Sequence, residues 1–222
     1  MSLIKNNALV GASGAAGYTL QRSLRFRSSA SAYLSRTPAS AGNRTTWTWS
    51  GWVKRGSLGA QRNLFTAYIG SGSTDTSYFT ITYNGADKLA LTGYSTIYRL
   101  STAVYRDPSA WYHVVVAVDT TQSTAANRFR IYVNGTEVTA FDTSNNPAQN
   151  TNLGVNQASP HYFAWDAFTT YYDGYLTEIN FIDGQALGPT YFGETDATTG
   201  VWKPISYSGT YGTNGFYLNF SD

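Results

Sequence analysis

The sequence predicts an all-β antiparallel sandwich, and three observations carry that expectation. Aromatics reach 16% of the 222 residues while charged residues fall to 13%, about half the usual ~25%. The strong helix formers are scarce, with 4 Lys and 3 Glu in the whole chain, which argues against a helical bundle or coiled coil. Runs of β-branched and aromatic residues alternate with polar ones, separated by Gly, Asn, Asp and Pro turn signals at sandwich-like spacing. A hydrophobic content of 42% can bury a core and argues against disorder.

Taken in order, residues 1–21 are small and patternless and read as a flexible N-terminal arm, with 22–222 as one sandwich. Ser23–Arg27 alternates, with Leu24 and Phe26 on one face and arginines on the other; Ala32–Ser35 adds a short strand. Thr45–Lys54 (TTWTWSGWVK) puts Trp47, Trp49 and Val53 on one face and Trp52 on the other, as in a strand covered on both sides. Leu64–Ile69 and Tyr78–Tyr83 follow, and Asn84-Gly85 predicts a type I′ hairpin into Leu89–Thr92. Asp107-Pro108 breaks the chain before the long strand Trp111–Asp119. Arg128–Val133 turns at Asn134-Gly135 into Glu137–Phe141. Thr143–Tyr172 reads as a long polar and aromatic loop, of the length that carries function or short strands of its own. Tyr175–Ile182 is a further strand, Gln185–Phe192 a helical turn, and residues 215–220 a closing strand whose Phe216, Leu218 and Phe220 match Leu24 and Phe26 as a partner.

The absence of Cys removes disulfides, thiolate zinc sites and thiol catalysis together. The longest strongly apolar run, Val114–Val118, is far short of the ~18 residues of a membrane helix, so no membrane insertion is expected. Ala8–Ala16 is too diluted by Gly and Ser to read as a processed leader. A net charge of +2 does not make a nucleic-acid binder. Its distribution is uneven: residues 1–74 hold nine bases and no acid, and the rest holds six bases and all 13 acids. Two readings stand, internal pairing of distant strands or a basic N-terminal region that docks on an acidic surface.

Four segments carry a family resemblance: SLRF, WTWSGWVKR, WYHVVVAVD with RFRIYVNGTEV, and DGYLTEINFIDGQAL. Together they resemble the concanavalin A-like jelly roll of laminin G type. More narrowly, SLRF, AYLSRTP, NRTTWTWSGWVKRG and GFYLNFSD are similar to laminin G-like proteins of marine tailed bacteriophages, in tail or head fibres and related virion proteins. The resemblance implies a virion location on the tail or capsid surface, other virion proteins and host-surface glycans as partners, and a homo-oligomer, commonly a trimer. In such proteins the chain usually continues past the Tyr-Leu-Asn-Phe-Ser-Asp segment, which leaves open whether receptor recognition lies in a distal part.

Catalysis is not expected. Related jelly-roll glucanases carry a Glu-x-Asp-x-x-Glu strand, because retaining hydrolysis needs two positioned carboxylates. Here Glu194-Thr195-Asp196 is followed by Thr199 where the third carboxylate belongs. His113 and His161 are the whole histidine supply, and no Gly-x-Ser-x-Gly elbow surrounds any serine. His113 reads as a packed, hydrogen-bonded histidine on the Trp111–Val115 face. No cofactor is expected; calcium at a loop rim is the exception the resemblance leaves open, with Asp166, Asp173 and Asp183 nearest, though turn chemistry explains them as well.

Ligand binding draws on two aromatic loops. One is Tyr94–Tyr105, offering Tyr94, Tyr98, Arg99 and Tyr105; the other is Tyr162–Tyr172, offering Trp165, Asp166, Phe168, Tyr171 and Tyr172. Sugar C–H faces stack on such rings while hydroxyls bond to Asp and Arg. The competing reading is that these aromatics fill the core or pack between subunits. Two functions therefore stand: a non-enzymatic virion module that attaches to host glycans, or a fibre-base, adaptor or decoration domain docking through its basic region.

Overall fold

Alternating patterns of this kind fold into sixteen strands across the described residues 18–220 of the computed structural model. In chain order they begin with β1 (Leu24–Phe26), β2 (Leu34–Arg36), β3 (Thr46–Arg55) and β4 (Arg62–Tyr68). Next come β5 (Tyr78–Tyr83), β6 (Lys88–Gly93), β7 (Ile97–Val104), β8 (Tyr112–Asp119) and β9 (Phe129–Val133). They continue with β10 (Thr136–Glu137), β11 (Phe141–Ser144), β12 (His161–Phe163) and β13 (Gly174–Asp183). The last three are β14 (Gly193–Thr195), β15 (Trp202–Pro204) and β16 (Phe216–Leu218). One sheet runs β1-β13-β3-β8-β9-β10, with β16 also on β13, and the second runs β11-β7-β6-β5-β4-β12-β2. β14 and β15 form a separate hairpin. Most of the chain ahead of the closing strand matches the expected alternation, and the sandwich is an antiparallel jelly roll. Among the described residues no helix is long and apolar enough to cross a membrane.

The sheets meet face to face over a largely aromatic core. Trp47 and Trp49 from β3 are fully buried, and Trp47 meets Phe79 of the facing sheet edge-on at 5.3 Å. Phe65 of the second sheet stacks on Phe181 of the first at 5.8 Å. Gly51 lies on the same core face of β3; a Cβ there would come within 2.6 Å of Ile179 and 2.8 Å of the Trp49 indole, so the missing side chain makes room for the large ring.

The outer face of the first sheet is covered too. Val115, Ala117, Tyr132 and Ile182 are buried there with Phe192, against Leu187, Tyr207 and Tyr211 of the segment after β13. Within that covering segment the expected helical turn at Gln185–Phe192 forms over Pro189–Tyr191, while the β14–β15 hairpin beyond it has no periodic pattern and is absent from the expectation. Other expectations need correction. β1 and β16 do not pair with each other; both lie on the same edge of β13, at Gly174–Leu176 and Ile179–Phe181. Between them β13 bulges at Glu178, whose φ is +52°. The Glu178 carboxylate accepts hydrogen bonds from the phenols of Tyr18 and Tyr217, each at 2.6 Å. Residues 1–17 of the expected arm lie outside the described residues.

The Asn84-Gly85 turn is not type I′. Asn84 Oδ1 instead accepts from the amides of Ala86 and Lys88, and Asp87 takes the left-handed conformation at φ +61°. Asn134 (φ +48°) and Gly135 (φ +80°) do form the expected two-residue turn. The expected Tyr94–Tyr105 loop is mostly strand β7, and Thr143–Tyr172 is interrupted by β12, which binds both β4 and β2.

Both histidines are buried and fixed in one neutral tautomer. His113 Nδ1 accepts the Trp202 indole N–H at 2.9 Å, so its Nε2–H is left to donate to Ser50 Oγ at 2.9 Å. His161 Nε2 accepts the Asn156 amide and its Nδ1–H donates to the Ser159 carbonyl. Burial pushes His113 down to about 3 and His161 down to about 4. The unfolded chain protonates near the ordinary 6.5 while the folded one does not, so stability present above that pH is lost as the pH falls toward 4. Each histidine contributes a slope of about 1.4 kcal/mol per pH unit in that window. The melting temperature should therefore fall steadily from pH 6.5 to 4.5, and His161→Gln should roughly halve the slope. A flat melting temperature across that window would show that the imidazoles protonate inside the fold.

Candidate functional site

The outer face of the second sheet is built by strand alternation. On β12, His161 and Phe163 point into the core, so Tyr162 points out. Its register partners are Ser35 on one side and Thr66 on the other, and Thr66 pairs in turn with Thr80. A row of hydroxyls thus crosses the face, and Thr66 and Thr80 are hydrogen-bonded at 2.9 Å.

Over this row leans a hairpin of residues 164–172. Tyr172 donates its amide to the Ala164 carbonyl at 2.8 Å and Asp166 donates to Thr170 at 3.1 Å, while Trp165 and Tyr171 bridge directly. The Asp166 carboxylate closes the tip by accepting the Phe168 and Thr170 amides at 2.8 and 2.9 Å. Asn63 of β4 ties the hairpin to the sheet by donating to the Thr170 carbonyl at 3.3 Å.

The hairpin fixes an aromatic platform. Trp165 and Tyr171 lie parallel within 6° at 5.8 Å, Tyr33 covers Trp165 at 4.7 Å, and Tyr162 meets it edge-on at 4.7 Å. Tyr33 is 44% exposed, and Trp165, Tyr162 and Tyr171 are half-buried. Burial raises the Tyr162 phenol above its ordinary pKa, with Tyr33 adding to the shift. A second group continues on the far side of the hairpin: Phe168 lies 5.1 Å from Tyr68 and 5.8 Å from Tyr78, and Tyr94 meets Tyr78 edge-on. Flat, fixed rings suit the C–H faces of sugars, while the Thr66 and Thr80 hydroxyls lie buried beneath the hairpin and bond to each other.

Of the residues expected at a site, Tyr94, Trp165 and Tyr171 reach this surface, and Asp166 shapes it from a buried position. Three turn inward instead. Tyr98 packs between Phe79 and Phe129. Arg99 is 2% exposed and donates to the Asn145 carbonyl and Asn146 Oδ1, so it binds β11's flank to β7. Tyr172 is fully buried, its hydroxyl donating to the Lys54 carbonyl at 2.8 Å. Tyr33 and Tyr68 are additions; the outward alternation of the short strand at 32–35 is the signal that could have found Tyr33.

The three aspartates weighed for calcium are spent on protein donors. Asp166 caps the hairpin, Asp173 pairs with Arg25 at 2.7 Å, and Asp183 accepts the amides of Asn43 and Asn214 together with the Asn156 side chain. Among the described residues no three His, Cys, Asp or Glu side chains gather as a metal site. Glu194 and Asp196 both bind Lys203, at 3.3 and 3.1 Å. Backbone amides and Lys203 hold the Asp196 carboxyl well below the usual range.

The family model of the concanavalin A-like lectin/glucanases superfamily (laminin G type) matches residues 28–190, well over half of the chain. The chain belongs to that superfamily. Solved structures are similar at low identity. Domain 4 of AbnA, an extracellular GH43 arabinanase from Geobacillus stearothermophilus solved with arabinotriose, is 18% identical at a TM-score of 0.48, over 67% of this chain and 65% of that one. Trypanosoma rangeli sialidase is 17% identical at 0.48, over 66% of this chain and 22% of the sialidase. A heptameric SAP-like pentraxin from Limulus polyphemus is 15% identical at 0.48, over 70% of each chain. No curated protein sequence matches. The superfamily includes both lectins and glucanases, so the lectin-like sandwich is established and the chemistry has to be argued from side chains.

Asp166→Ala removes the acceptor of two backbone amides at the tip and should cost about 1–3 kcal/mol locally. Amide exchange at Phe168 and Thr170 should accelerate while β3 and β8 stay protected. Unchanged exchange at the tip would mean that ring stacking alone holds the hairpin.

Proposed function

We propose that this chain is a non-catalytic glycan-recognition domain, and that it serves host attachment on a bacteriophage virion. The observation that supports recognition is the Trp165–Tyr171 stack with Tyr33, a partly exposed aromatic platform held by a capped hairpin. Such a platform is ordered before the ligand arrives, so little freedom is lost on binding. The absence of catalysis in this reading rests on Glu194 and Asp196, whose carboxylates neutralise Lys203 rather than flank an open groove as a pair. The virion setting rests on the SLRF, AYLSRTP and GFYLNFSD segments; a trimer, the assembly that resemblance implies, would multiply weak sites into firm adhesion.

The docking alternative has less to work with. Arg25 is paired with Asp173, Arg55 with Asp87, and Arg44 donates to the Leu153 and Thr76 carbonyls, so much of the basic region is used within the fold.

Binding of the purified chain to surface polysaccharide from host bacteria should saturate and be unaffected by calcium chelation. Trp165→Ala should weaken it about 30-fold or more, the loss expected of a ~2 kcal/mol hot spot, with retained amide protection of β3 and β8 as the control for folding. Equal binding by both chains would remove the platform from the reading. Mass-spectrometric detection of the chain in purified phage particles tests its setting, and absence from particles would overturn it.

A further inference from the structure

A second aromatic enclosure lies on the opposite face of the sandwich. On the outer side of the first sheet, Trp52, Trp111 and Trp202 wall a cavity of about 450 Å³, completed by Ala110, Val201 and Asn134. The volume is within the range of small-ligand sites, roughly 300–1,000 Å³. We propose that this cavity binds one uncharged pyranose ring, as a second glycan site independent of the Trp165 platform.

The walls are fixed before any ligand arrives. The Trp202 indole is clamped between Gly135 and Gly193, where an added Cβ would come within 2.5 and 2.6 Å of the ring. Its N–H donates to His113 Nδ1 at 2.9 Å, and the two rings stack within 20°. His113 stacks in turn on Trp52, 5.0 Å away and within 18°. Three parallel rings therefore brace one another, and none has to reorganise to receive a ligand. The β14–β15 hairpin that carries Trp202 is itself locked by Asp196, which accepts the Thr198 and Thr199 amides and pairs with Lys203.

The lining chooses the ligand class. The half-buried Trp111 indole complements the apolar C–H face of a sugar ring, and Trp52 and Trp202, stacked on His113, add apolar ring edges. Asn134 uses its Oδ1 to accept the His113 amide at 2.8 Å, which leaves its side-chain N–H2 to donate to a sugar hydroxyl. No charged side chain lines the cavity among the described residues, so a uronic or sialic acid would bring an unpaired carboxylate against apolar walls, at a cost. A neutral hexose meets no such penalty.

The six tryptophans supply the test. In a 15N spectrum each indole N–H gives one signal, assignable by single substitution, with the core residues Trp47 and Trp49 as internal controls. Methyl glycosides of glucose, galactose, mannose and N-acetylglucosamine, and of glucuronic acid as the charged control, are titrated into the Trp165→Ala chain. At least one neutral glycoside should shift the Trp52, Trp111 and Trp202 signals saturably, and the glucuronide should not. Val201→Trp, a change at a residue 55% exposed, should fill the cavity and abolish the shifts without unfolding the chain. Stationary signals with every neutral glycoside would overturn the second site. Movement of Trp165 alone, in the unsubstituted chain, would do so while leaving the platform reading intact. Equal shifts with the glucuronide would overturn the neutral-ring assignment.

Discussion

Trp47 and Trp49, side by side on the inner face of β3, set the spacing on which the rest of the molecule depends. Both indoles are fully buried, and Trp47 packs between Phe79 of the facing sheet and Phe181 of its own. Residues of that size need a strand with a small neighbour, which Gly51 provides, and partners that are themselves flat and wide, which Phe65, Phe79 and Phe181 provide. Burying one such side chain contributes several times what a surface ion pair does. With the interior filled by rings, outward residues on the same strands are left at fixed heights and angles. Trp52 on β3 and Tyr162 on β12 inherit their positions from that core.

The uneven charge along the chain is largely resolved inside the fold. Arg55 shows how: its guanidinium is fully buried, pairs with Asp87 at 2.9 Å, donates to the Tyr105 carbonyl and lies 4.5 Å over the Tyr83 ring. A buried guanidinium needs partners, and here a carboxylate from the β5–β6 turn, the Tyr105 and Ser57 carbonyls and an aromatic face meet its two terminal nitrogens, while its Nε–H is left without one. Asp87 is in turn held below the usual carboxylate range: against the cost of burial, the Gly59 amide and Arg55 prevail. Arg25 and Asp173 repeat the arrangement nearer the surface. Antiparallel strands distant in sequence become neighbours, so a chain can be segregated in charge along its length and balanced in space.

Period-two alternation made the long strands legible, because β3, β8 and β9 each keep one register over at least five residues and face the core with alternate side chains. It also placed Trp47 and Trp49 inside and Trp52 outside. Tyr98 and Arg99 were misplaced for a physical reason: the β6–β7 ladder shifts register twice, and β11 crosses over their flank, so adjacent residues are both buried. A bulge has no signature in local hydropathy. Tyr172 was equally illegible, since only the closed hairpin shows that Trp165 and Tyr171 point out while its last tyrosine turns in. The segment after β13 carries no period at all; it is held by single side-chain contacts such as Trp202 on His113, which exist only once the sheet is formed.

The two sites proposed for sugars share one design, rings immobilised by packing and by hydrogen bonds behind them, and they lie on opposite faces of a thin sandwich. A single sugar ring offers few atoms, so each site alone is limited to modest affinity whatever its geometry. Rigidity helps by removing the ordering cost, but it does not add contacts. Sites on opposite faces cannot grip one short chain together; they can engage different strands of a polymer layer into which the domain is pressed. In that arrangement the effective concentration of the second sugar is set by the density of the layer, and two weak contacts multiply. The separation of the sites then favours a dense polysaccharide coat over an isolated oligosaccharide, because only the coat surrounds both faces at once.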